Sequence, residues 1–110
     1  MSGIEPTIST HVLDTGAGRP AAGIRVTLAR IADDGAHVPA GEGITNLDGR
    51  VARLLEGPLT AGDYRLTFHV GDASPFFRRV DLELRVEDAT RSYHVPLLLS
   101  PYGISSYRGS

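Results

Sequence analysis

The segment Val80-Asp81-Leu82-Glu83-Leu84-Arg85-Val86 alternates apolar and charged residues without a break. A period of two puts every aliphatic side chain on one face and every charge on the other. Such a strand has a core on one side and water on the other. The same alternation recurs at Ile24-Arg25-Val26-Thr27-Leu28 and at Tyr64-Arg65-Leu66-Thr67-Phe68-His69-Val70. Glycine and proline interrupt the chain about every ten residues, a spacing typical of an antiparallel sandwich or barrel. No segment carries a helical period. The expected fold is all-β.

Strands are expected elsewhere as well. Thr7 to Leu13 sets Ile8, Thr10 and Val12 on one face and Ser9, His11 and Leu13 on the other. Asp33-Asp34-Gly35 is a turn between two strands. His37 to Thr45 contains Pro39 and two glycines, so it belongs at an edge. Asn46-Leu47-Asp48-Gly49 is a turn, with Asp48 capping it through its own side chain. Arg50 to Leu54 restarts a strand. Gly71 to Pro75 is loop. Ser92 to Leu99 is apolar enough to be buried on both faces, and it carries His94. The chain turns again at Pro101 and Gly103 and ends on Tyr107-Arg108-Gly109-Ser110.

A chain of 110 residues is expected to form one domain spanning 1–110, large enough for a core of its own. It has no cysteine, which excludes disulfides and thiolate metal sites. The net charge is -2 with signs interspersed, so no nucleic-acid or anionic-membrane footprint is expected. The first residues lack the basic and apolar regions of a secretory signal. No apolar run reaches the roughly 20 residues of a membrane helix. A soluble, cytoplasmic protein is expected.

On general grounds a lone histidine in an apolar strand is more often a hydrogen-bonded structural residue than a catalyst. That bland reading applies to His94 and His11 taken singly, and to His37 and His69 outright. An arginine just past a tight turn, such as Arg50, is usually a solvated strand end. Two histidines without a third or fourth ligand at sensible spacing do not make a zinc site.

Three patches change that balance when taken together. They are Ser9-Thr10-His11-Val12-Leu13-Asp14-Thr15-Gly16-Ala17-Gly18-Arg19-Pro20-Ala21, then Thr45-Asn46-Leu47-Asp48-Gly49-Arg50, then Tyr93-His94-Val95-Pro96-Leu97-Leu98-Leu99-Ser100 with the ending Tyr107-Arg108-Gly109-Ser110. The chain resembles the 5-hydroxyisourate hydrolases of the transthyretin-like family, from about Thr7 to Ser110. The ending is the most specific of the three, because the hormone carrier of the family lacks it.

The resemblance implies a transthyretin-like antiparallel β-sandwich of two four-stranded sheets. It also implies a homotetramer with active sites between dimers, and no metal or organic cofactor. The implied reaction hydrolyses an amide bond of 5-hydroxyisourate, in purine degradation from urate to allantoin. By motif, the implied catalytic residues are His11, Arg50 and His94. The implied substrate-binding residues are His11, Arg50, Tyr107 and Ser110. Which histidine is the base stays open. Family members usually carry a longer segment with a short helix where this chain has Gly71 to Arg79, so that helix is expected to be shortened or absent. The alternatives are a non-catalytic transthyretin-like binder of a small ligand and a structural sandwich module.

Overall fold

The computed structural model describes residues 5–109. Among them the strands run in the order β1 (Ile8–Asp14), β2 (Arg19–Pro20), β3 (Arg25–Ile31), β4 (His37–Ile44), β5 (Arg50–Val51), β6 (Gly62–His69), β7 (Arg79–Val86), β8 (Tyr93–Leu99) and β9 (Ile104–Ser106). They form two sheets. The first has the order β2-β1-β8-β9 with β5 also paired to β1, and the second β4-β3-β6-β7. The architecture is an all-β sandwich, as the alternation predicts. The first sheet gains a fifth member because β2 and β5 are two-residue strands that share β1 as partner.

The period-two faces explain the core. Ile8, Val12, Val26, Leu66, Phe68 and Leu97 are fully buried, each from the apolar face of its strand. Removing such side chains from water stabilises the fold by about 1.5–3 kcal/mol apiece. Tyr64 is equally buried, and its hydroxyl donates to the Thr60 carbonyl at 2.9 Å, so its polar tip is satisfied.

Three expectations need correction, and one strand was not expected. The pair β1–β8 is parallel rather than antiparallel, because the second sheet returns the chain to the end from which it set out. The strand expected over Arg50 to Leu54 stops at Val51. Leu54 and Leu55 are consecutive and both buried, which a strand facing a core on one side cannot achieve. They hang on backbone bonds from Leu54 N–H to the Ile8 carbonyl and from Glu56 N–H to the Ala40 carbonyl. The tail after Gly103 adds a strand, β9, antiparallel to β8. The turn before Arg50 is capped by Asn46, not by Asp48.

Two other readings hold. β4 lies at an edge, and its register against β3 shifts between Leu28 and Ala29. The shortened segment before β7 has no helix. It keeps one hydrogen-bonded turn, in which the Ala73 and Ser74 N–H groups both donate to the Val70 carbonyl.

Candidate active site

Strand β1 turns Ile8, Thr10 and Val12 inward, which leaves Ser9 and His11 half-buried on the outer face of the first sheet. Strand β8 does the same with Tyr93, Val95 and Leu97 inward and His94 outward. The parallel register pairs Ser9 with His94 and His11 with Pro96. On the other side of β1, Arg50 is the antiparallel partner of His11. Arg50, His11 and His94 therefore run across three adjacent strands on one open face.

A tight turn delivers Arg50. The Asn46 Oδ1 accepts from the backbone N–H groups of Asp48 at 2.9 Å and Arg50 at 3.0 Å. Gly49 adopts φ 76°, which costs other residues energy. Its carbonyl accepts from the Val12 N–H at 2.7 Å, so the turn is bolted to β1 one residue past His11. The Arg50 side chain is exposed and is left to project its charge from this anchored backbone.

His94 is held more firmly. Its Nδ1 lies 2.8 Å from the Ser9 Oγ. The Gly109 N–H donates to its carbonyl at 2.7 Å. A methyl group built on Gly109 would come within 2.7 Å of the ring carbon Cδ2, so the tail lies against the imidazole. Burial, then the charges of Arg50 and His11, hold the His94 pKa below its ordinary 6.5. The ring is therefore neutral at neutral pH.

The tail reaches this position through Arg108. Its guanidinium sits 4.7 Å from the centre of the Tyr93 ring, a cation–π contact. The Tyr93 hydroxyl in turn donates to the Asp88 carbonyl at 3.1 Å and accepts from the Asp88 N–H at 3.0 Å. The Asp88 carboxylate pKa is lowered chiefly by hydrogen bonds from Thr90, and also by Arg91 and Arg108. Tyr107 is 56% exposed, one residue past β9. It borders a cleft of about 370 Å³ with Leu82, Leu84, Tyr93 and Arg108.

The structure thus brings His11, Arg50 and His94 onto one face, whereas Tyr107 borders a cleft lined by the inward-facing Tyr93 and Val95. Ser110 lies outside the described residues. His37 and His69 lie on strands of the second sheet, away from this face. Among the described residues no group of three or more histidine, aspartate or glutamate side chains is placed to hold a metal ion. Sequence reasoning missed Ser9 as a partner of His94. The signal was present, since period two already put Ser9 on the face of His11, but the register between the first and last long strands was not legible.

Known proteins resemble this chain over nearly its whole length. The HIUase/Transthyretin family model matches residues 8–109. A 5-hydroxyisourate hydrolase of Deinococcus radiodurans is 47% identical, with all of both chains covered. One of Halalkalibacterium halodurans is 42% identical over 94% of this chain and 97% of its own. The structure of Klebsiella pneumoniae 5-hydroxyisourate hydrolase superposes with a TM-score of 0.79 at 36% identity, covering 94% of this chain and 99% of that one. Sea bream transthyretin shares the fold at a TM-score of 0.81 and 23% identity, covering 92% of each chain.

Proposed function

We propose, from the premise that this chain belongs to the HIUase/transthyretin family, that it is a hydrolase that opens 5-hydroxyisourate. The product is 2-oxo-4-hydroxy-4-carboxy-5-ureidoimidazoline, and the step belongs to the degradation of urate to allantoin. The observation that carries this reading is the alignment of Arg50, His11 and His94 on one face, in a chain so similar to hydrolases of that name.

The substrate is a planar bicycle rich in carbonyls. The guanidinium of Arg50 offers a fork of donors for two oxygens at once. It also stabilises the oxyanion that forms when water attacks, an effect of about 3 kcal/mol per well-placed donor. A neutral imidazole takes the proton from the attacking water and returns it to the departing nitrogen, a contribution of about 10²- to 10⁴-fold. Tyr107 and Ser110 orient the substrate through their hydroxyls. The reading requires no metal or organic cofactor. A cysteine-free chain needs no oxidising compartment, which suits action in the cytoplasm.

The working form in this reading is a homotetramer whose subunits close over the open face. Two features support it. Among the described residues, strands β7 and β9 end their sheets with unpaired edges, and such edges are commonly covered by another strand. Ile104 and Tyr102 are apolar or aromatic yet 41% and 76% exposed in one protomer.

The test is a coupled ultraviolet assay. Urate oxidase generates 5-hydroxyisourate in the cuvette, and its decay is followed with and without this protein. The reading requires faster decay with the protein present.

A further inference from the structure

We propose that Ser9 is a positioning residue that fixes the tautomer of His94, leaving His94 to donate a hydrogen bond and His11 to carry the proton. The inference rests on the hydrolase reading for its chemistry but not for its geometry.

The geometry begins with the two near atoms of the ring. Nδ1 meets the Ser9 hydroxyl at 2.8 Å, and Cδ2 lies against Gly109. Both flanks are taken, so the far edge with Nε2 points away from β8 toward the open face. Ser9 and His94 are paired residues in the parallel register, which holds the hydroxyl opposite the ring. Among the described residues, His94 is the one hydrogen-bond partner of that hydroxyl.

A hydroxyl has one proton and a neutral imidazole has one. If Nδ1 carried the ring proton and donated to Oγ, the serine proton would be left without an acceptor among the described residues. If the serine donates to Nδ1, its proton is satisfied within the half-buried pair, and the ring proton sits on Nε2, turned to the open face where water or substrate can accept it. The low basicity of His94, caused first by burial and then by Arg50 and His11, keeps the ring in its neutral form. A neutral ring with Nε2–H is a hydrogen-bond donor and not a base.

The roles then separate. Water's oxygen bonds to the carbonyl carbon as its proton passes to a ring nitrogen of His11. The carbonyl π pair moves onto oxygen, where the Nε2–H of His94 and the guanidinium of Arg50 receive the charge. The pair returns to re-form the carbonyl, the carbon–nitrogen bond breaks, and the nitrogen takes the proton held by His11. His94 keeps its proton throughout, so no imidazolate forms.

The test is long-range ¹H–¹⁵N correlation on the unsubstituted protein at mildly alkaline pH, with Ser9→Ala and Ser9→Thr beside it. Protonated and bare ring nitrogens resonate far apart. The proposal expects the Nε2–H tautomer of His94 in the unsubstituted protein and in Ser9→Thr, and a mixture in Ser9→Ala. In turnover, Ser9→Ala loses about 10- to 100-fold in kcat with little change in KM, as orienting partners of histidines typically do, and Ser9→Thr recovers most of it. An Nδ1–H tautomer in the unsubstituted protein overturns the proposal. So does a Ser9→Ala protein with unaltered tautomer and turnover. The expected tautomer in a protein without hydrolase activity upholds the geometry and overturns the hydrolase reading instead.

Discussion

Arg50 stands directly across from His11 in the pairing of β5 with β1. The two come from segments nearly forty residues apart, and a two-residue strand suffices to join them. The charge of Arg50 reaches one strand further, to His94, where it helps to keep the imidazole neutral. A cation and two histidines share one face only because the intervening strand, β1, presents alternate residues outward.

Arg50→Ala should abolish most activity without unfolding the protein. The side chain is exposed, so stability should stay within about 0.5 kcal/mol. Loss of a charge at the oxyanion should lower kcat/KM by about 10²- to 10³-fold. Steady-state kinetics beside a thermal melt separate the two effects.

Gly49→Ala should act through the backbone. Its φ of 76° disfavours a side chain, and a methyl there would clash with the Val12 carbonyl oxygen. The variant should lose about 1–3 kcal/mol in chemical denaturation and should also lower activity, because the same turn carries Arg50.

Gly109→Ala tests the tail. The added methyl would meet the His94 ring at 2.7 Å, so ring or tail must shift. Turnover should fall by about 10- to 100-fold, with a much smaller change in melting temperature. Kinetics together with the His94 imidazole resonances check this.

Stability should depend on pH through His94. Its pKa is about 6.5 in the unfolded chain and lower in the native one. The unfolded state therefore binds more protons as pH falls through 6.5 toward the native value. Stability is highest above that window and declines within it. Denaturation measured from about pH 7.5 to 5 should show this decline, and His94→Gln should flatten it.

Much of this was legible beforehand. Strict alternation marked β7, and the same rule put His11 and Ser9 on one face. The sites that escaped depend on register and not on composition. No local pattern says that β1 lies parallel to β8, so the Ser9–His94 pair was invisible. Pro96 contributes no N–H to the ladder, although β8 lies between β1 and β9. The Pro96 carbonyl instead accepts from the Ser106 hydroxyl at 2.7 Å. Asn46, not Asp48, caps the turn because its carboxamide reaches two N–H groups at once. The tail read as a functional ending, but its course along β8 follows from the cation–π contact of Arg108 with Tyr93 and the Gly109 bond to His94.

The most direct measurement is the decay of 5-hydroxyisourate in the coupled ultraviolet assay, with chelator present and with Arg50→Ala as control. The account predicts faster decay with the native protein and decay near the spontaneous rate with the variant. An unchanged decay from a folded native protein would contradict it and would favour a family member that binds its small ligand without turning it over.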